Sequence, residues 1–325
     1  MLKHCLALSI ALTWSGLLSA QTPTTKLDAV KGVPDIDKSS QTQDVQFRTG
    51  KDDRMTVPVR LAGAGPYQFL VDTGADRTAV SRELVTQLRL PSSGGAELHS
   101  VSGVSRVTTA RVNDLELTRP AERAIDAAVL DRANIGADGI VGVDVLRSER
   151  VQFDFATQTM SIVPSSTPDF RAEKDTIVVT ARRKNGRLIV TDADVDGHRL
   201  TVVLDTGSQV SIGNSALRHR LLGSSLIDPQ RTVELESVTG EKIIGDYLLI
   251  PQITIGGIVL RNLAVVFTDA ETFKQLRLEN MPSLLLGMNA IRAFKKVSID
   301  FANRKFRVVV PEHSEIDVEV AMRGG

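Results

Sequence analysis

The chain has 325 residues, 42% apolar and 24% charged, a balance typical of globular proteins and enough for one large domain or two ordinary ones. Lys+Arg and Asp+Glu both number 39, so the formal charge is zero and the basic excess that a nucleic-acid partner ordinarily demands is missing. Aromatics make up only 4%, so aliphatic side chains must fill the core.

Lys3 and His4 open the chain, a largely apolar stretch follows over residues 6–18, and Ser19-Ala20 supplies small residues. This order predicts a signal peptide over 1–20, cut before Gln21. An uncleaved anchor is the alternative, although the run is short for a membrane span. The only cysteine, Cys5, lies inside this segment, so a chain starting at Gln21 carries no thiol and no disulfide. An exported protein without cysteines fits a bacterial envelope, and the expected location is the periplasm. Residues 21–45 are polar and aperiodic and read as a flexible leader.

From there the chain repeats itself once. The first copy contains PYQFLVDTGADRTAVS (66–81) and the second HRLTVVLDTGSQVSIG (198–213), with the Asp of each Asp-Thr-Gly 133 residues apart. SVSG at 100–103 returns as SVTG at 237–240, DGIVGVDVL at 138–146 as SLLLGMNAI at 283–291, and the segment from Val151 as the segment from Val297. The four matches keep their order at offsets of 133, 137, 145 and 146 residues, as a duplication with loop insertions in the second copy would give. The copies divide the chain into a first lobe at 46–164, a hinge at 165–172, a second lobe at 173–311 and a loose polar tail at 312–325. Alternating or blocked apolar residues predict strands over 55–61, 68–71, 104–112, 200–204 and 243–255. Turn signals at Gly63-Ala64-Gly65-Pro66, Asp196-Gly197 and Gly256-Gly257 separate strands, and short helices are predicted over 81–90, 214–222 and 288–294.

Both copies carry Asp-Thr-Gly directly after an apolar run: Phe69-Leu70-Val71 before Asp72, and Val202-Val203-Leu204 before Asp205. Such a run is a buried strand, and an acid at its end is costly to bury unpaired. Gly74 and Gly207 allow a sharp turn and close backbone approach, and Thr73 and Thr206 offer short hydroxyls for hydrogen bonds. Two such turns facing across a pseudo-twofold axis bring two carboxylates together, where they share one proton. The ionised member can act as general base on a water and the protonated one can polarise a carbonyl. This is amide hydrolysis without metal, cofactor or covalent intermediate.

These motifs, with Ile140-Val141-Gly142 and Leu285-Leu286-Gly287, resemble the aspartic peptidase superfamily, in particular bacterial exported proteins with two retropepsin-like halves in one chain. The resemblance covers about residues 50–311. It implies an all-β fold of two homologous, pseudo-twofold β-barrel lobes with short helices. It makes Asp72 and Asp205 catalytic and Thr73, Gly74, Thr206 and Gly207 their supporting loops, with the apolar-apolar-Gly strands beneath. It also places substrate-covering flaps at Ser100, Val101, Ser102 and Gly103 and at Ser237, Val238, Thr239 and Gly240. Neither flap contains the tyrosine of pepsin-like enzymes; the only tyrosines are Tyr67 and Tyr247. Ser208 is expected to hydrogen-bond its carboxylate, which Ala75 cannot do, and this asymmetry predicts a mildly acidic pH optimum.

No rival constellation stands out. Asp192 to Gly197 opens like a calcium loop, but Val203 stands where that loop needs its Glu, so a hairpin turn is the preferred reading. His4, His99, His198, His219 and His313 show no metal spacing, and Arg182-Arg183-Lys184 and Lys295-Lys296 read as solvated surface. The expected partner is a peptide or unfolded protein lying as an added strand under the flaps of a monomer, with no nucleic acid and no membrane span after signal cleavage. A non-catalytic peptide-binding or scaffolding module on the same fold is the alternative, and pairing of halves between chains is a third.

Overall fold

The computed structural model describes residues 5–8, 55–117, 124–170, 176–223, 231–311 and 319–320. The predicted leader lies outside them, as does most of the predicted signal peptide and tail. From the first of these, Cys5–Leu8 form a strand parallel to Ser92–Ser100. From the tail, Glu319–Val320 pair with the strand Ile258–Phe267.

The fold is mostly strand, with short helices, in two repeated lobes. In the first lobe, Thr56–Leu61 alternates cleanly: Val57, Val59 and Leu61 are buried while Pro58 and Arg60 are exposed, the period of a sheet with one wet face. It turns back into Ala64–Val71, whose last three residues are all buried. That end pairs in parallel with Gly139–Val141, in the register Phe69 to Gly139, Leu70 to Ile140 and Val71 to Val141. The second lobe repeats the pairing. Thr201–Leu204 runs parallel to Ser283–Leu286, with Val202 opposite Leu284, Val203 opposite Leu285 and Leu204 opposite Leu286. Covered on both faces, these strands need unbroken apolar runs rather than alternation.

A five-stranded sheet joins the lobes, with Thr159–Pro164, Glu149–Asp154, Lys296–Asp300, Lys305–Val309 and Thr176–Thr180 in spatial order. Val151 lies opposite Ile299, Gln152 opposite Ser298 and Phe153 opposite Val297. Gln152 and Ser298 are equivalent positions of the repeat, so the local two-fold passes between them. The segment read as a hinge is pinned at this point. Asp169 accepts from Gln152 Nε2 (2.9 Å) and from Ser298 Oγ (3.1 Å), and the buried Arg150 donates to Thr167 O (2.7 Å). The aliphatic core runs through both lobes, and two smaller apolar clusters sit beside the Asp-Thr-Gly loops.

Three predicted helices are present as Arg82–Leu88, Ser215–Gly223 and Met288–Ile291. Ser81 caps the first, its Oγ accepting from Leu84 N, the usual way to satisfy an orphan amide at a helix start. Asp196 and Gly197, both with positive φ, turn the hairpin between Ala193–Val195 and His198–Arg199. Arg182, Arg183 and Lys184 are exposed. Lys295 and Lys296 are half-buried, and Lys296 Nζ lies 3.7 Å from Asp154.

Candidate active site

Each parallel pair extends one hydrogen bond past its strand. Asp72 N donates to Val141 O (3.0 Å) and Asp205 N to Leu286 O (3.1 Å), which fixes both acids at the mouth of a buried strand. Asp72 is 2% exposed and Asp205 0%. Each carboxylate accepts from the glycine of its own loop, Gly74 N to Asp72 Oδ1 (2.8 Å) and Gly207 N to Asp205 Oδ1 (3.1 Å).

The threonines tie one loop to the other. Thr73 Oγ1 donates to Leu204 O (2.8 Å) and accepts from Thr206 N (3.1 Å). Thr206 Oγ1 donates to Val71 O (2.8 Å) and accepts from Thr73 N (3.1 Å). A hydroxyl is the one short side chain that donates and accepts at once, so each threonine satisfies two buried backbone groups across the lobe boundary. Gly207 serves the same closeness: a Cβ there would collide with the carboxyl of Asp72. Neither Gly74 nor Gly207 has a left-handed backbone. It is therefore the approach of the loops, not a sharp turn, that requires glycine at 207.

The apolar-apolar-Gly strands brace the loops from below. Val143 N donates to Ala75 O and Met288 N to Ser208 O, both at 2.8 Å. A Cβ on Gly287 would press on the Val210 carbonyl at 2.5 Å, and one on Gly142 would collide with the Arg77 backbone. Thr78 N and Oγ1 donate to Asp144 Oδ1 (2.9 and 2.8 Å), as Ser211 N and Oγ donate to Asn289 Oδ1 (2.8 and 2.9 Å). The two braces differ in charge. Burial pushes the Asp144 carboxyl above its ordinary value, opposed by hydrogen bonds from Thr78 and Val145 and by Arg77.

Ser208 departs from expectation. Its Oγ donates to Val210 O (2.6 Å), so its single hydroxyl proton is committed to the backbone and not to the carboxylate. Ala75 and Ser208 therefore do not make the two carboxylates unequal, and a raised pH optimum does not follow from this pair.

Sequence reasoning missed Arg187. It reaches from the strand Arg187–Val190 of the second lobe into the first loop, wholly buried. Its Nε donates to Gly74 O (2.7 Å) and its Nη1 lies 2.6 Å from Asp76 Oδ1. Burial lowers the guanidinium's pKa, opposed by the charges of Asp76, Asp72 and Asp205, so this cation is within electrostatic reach of both acids. Gln275 Nε2 donates to the other Asp76 oxygen (2.5 Å). In the second loop Gln209 stands where the first has Asp76.

The predicted flap residues form hairpin tips. Ser100 pairs with Gly103 at the end of Ser92–Ser100 and Gly103–Val112. Ser237 to Gly240 joins Arg231–Glu236 to Lys242–Ile255. Ser102 Oγ and Ser105 Oγ of the first flap donate to Glu241 of the second (2.6 and 3.2 Å). Among the described residues no cluster of His, Cys, Asp and Glu is arranged for a metal, and no helix is long and apolar enough to cross a membrane.

What the arrangement can do chemically is limited by two buried acids on interlocked loops. Like charges brought close resist joint ionisation, and a carboxyl pair that held one proton would offer a base and an acid at one point. A family model described as aspartyl protease matches residues 57–145 and 191–290, one stretch in each lobe. No curated protein matches the chain.

Proposed function

Since the chain belongs to the aspartyl protease family, we propose that it is an endopeptidase in which Asp72 and Asp205 share one proton and activate water against a peptide bond. Aspartic proteases are the standard example of such a dyad. The ionised acid takes a proton from the water as its oxygen adds to the carbonyl carbon. The protonated acid hydrogen-bonds the carbonyl oxygen, and the tetrahedral species collapses as the C–N bond breaks and the amine leaves with a proton from the dyad. Thr73, Gly74, Thr206 and Gly207 hold the two loops in register for this.

The observation that carries the reading is the reciprocal threonine contact. It places both acids on one rigid support drawn from two lobes, and preorganisation of this kind is what a catalytic pair needs. The substrate is an extended stretch of unfolded protein covered by both flaps, processed by a single exported chain in the bacterial periplasm. Incubating the purified chain and its Asp205→Asn variant with β-casein from pH 3 to 7, and mapping new termini by mass spectrometry, tests it. Cleavage by the wild type alone is expected. Equal cleavage by both sinks the proposal and points to a contaminant or a different site; none by a folded wild type sinks it and favours a peptide-binding module.

A further inference from the structure

The Ser-Val-Ser/Thr-Gly repeat at the flap tips has a use beyond covering the site. Val101 is 2% exposed, and its apolar cluster is otherwise built from the second lobe, including Ile189, Val203, Val210, Phe273 and Leu276. Val238 is also 2% exposed, and its cluster is otherwise built from the first lobe, including Leu70, Ala75, Leu130, Ile135 and Ile140. Each tip thus crosses the cleft and buries one valine in the opposite half. The clusters flank the acids: Leu70 and Ala75 bracket Asp72, and Val203 and Val210 bracket Asp205.

The tips are built to hold the valines there. Ser100 Oγ and Ser102 Oγ are 2.7 Å apart, and Ser237 Oγ and Thr239 Oγ1 2.5 Å. Thr239 N donates to Ser237 Oγ (3.1 Å), a local hydroxyl-to-backbone bond that stiffens a turn. Glu271 N reaches Val101 O at 3.4 Å, and Glu271 Oε1 lies 3.3 Å from His99 Nδ1.

We propose that Val101 and Val238 are reciprocal plugs: each fills the apolar pocket beside the opposite catalytic loop, and a substrate enters by putting its own branched aliphatic side chains in their place. The plugged chain is the resting state. These apolar walls exclude charged side chains by desolvation. Taking the pockets as substrate pockets rests on the peptidase reading; the reciprocal plugging does not.

Two measurements on the full chain separate these. Hydrogen exchange of the tip amides is read in wild type, Val101→Ala, Val238→Ala and the near-isosteric Val101→Thr. Losing two buried methyl groups is expected to speed tip exchange about tenfold, with the strands Thr56–Leu61 and Thr201–Leu204 unchanged; equal tip exchange in all variants overturns the plug. With β-casein, the Ala variants are expected to lower KM up to about tenfold at similar kcat, with wild-type cuts flanked by Val, Ile or Leu. A raised KM, or cuts flanked by charged residues, overturns the proposal. Faster tip exchange with no hydrolysis by any chain upholds the plug and rejects the peptidase reading.

Discussion

Replacing Arg187 by methionine keeps the aliphatic stem and removes the cation. The loss strips Gly74 O of its donor and Asp76 of its ion pair, while Gln275 still donates to Asp76. Breaking a buried pair by deleting one partner costs about 3–5 kcal/mol. The Asp76 side chain is 13% exposed, so some water reaches it and the lower end of that range applies. A loss of about 3 kcal/mol is large against the 5–15 kcal/mol typical of folded domains. Urea unfolding of wild type, Arg187→Met, Asp76→Asn and the double variant measures it. The double variant should be at least about 1 kcal/mol more stable than the sum of the single effects, because each single change leaves an uncompensated charge. A second readout follows from the reach of this cation to both acids. With Asp72 and Asp205 as the proposed catalytic pair, loss of the cation disfavours their ionised form, so the acidic limb of the pH–rate profile is expected to move to higher pH. A loss under about 1 kcal/mol with additive single effects would refute the assignment of Arg187 as the clamp on the first loop.

Gly207→Ala places a methyl on the Asp72 carboxyl, so hydrolysis should fall to the level of Asp205→Asn while circular dichroism still reports a β fold. Thr73→Val keeps the shape but leaves Leu204 O without its donor and Thr206 N without its acceptor; chemical denaturation should show a loss of about 2–3 kcal/mol, and a loss under about 0.5 kcal/mol would count against the cross-lobe grip. Asp144→Asn tests pH. The folded-state pKa of Asp144 is raised by burial, so its contribution is fully present below the unfolded carboxyl value near 3.9 and is lost as pH rises through the folded value. The stability of Asp144→Asn relative to wild type should therefore climb from about pH 4 toward neutrality, and a flat difference across that range would refute the buried-acid argument.

Much of this was legible because the repeat is local in sequence. An apolar run ending in Asp-Thr-Gly specifies a buried strand and its acid within a few residues, and Ile140-Val141-Gly142 announces a strand with a close neighbour at its end. What the string of residues hides are meetings across lobes. Arg187 and Gly74 are 113 positions apart, and nothing around Arg187 distinguishes it from the exposed Arg182 and Arg183, since a strand arginine buries only if another lobe supplies its acid. Ser208 misled for a related reason: its hydroxyl has a carboxylate one way and a carbonyl the other, and only the fold of the loop decides between them. At Gly207 the sequence suggests a sharp turn, whereas the main constraint is the neighbouring loop rather than its own dihedral angles.

The sheet that joins the two copies also bears on how the protein can change. In a dimer of identical chains every substitution appears twice, once on each side of the axis, so a change that helps one side must be tolerated on the other. Here Gln152 and Ser298 meet at the axis as different residues, and Asp144 faces Asn289, Ala75 faces Ser208 and Asp76 faces Gln209 across the repeat. Joined in one chain, the halves are free to specialise, so that the first loop is held by a clamp from the other lobe and a titratable brace from its own, while Gln209 and Asn289 stand at the matching positions of the second.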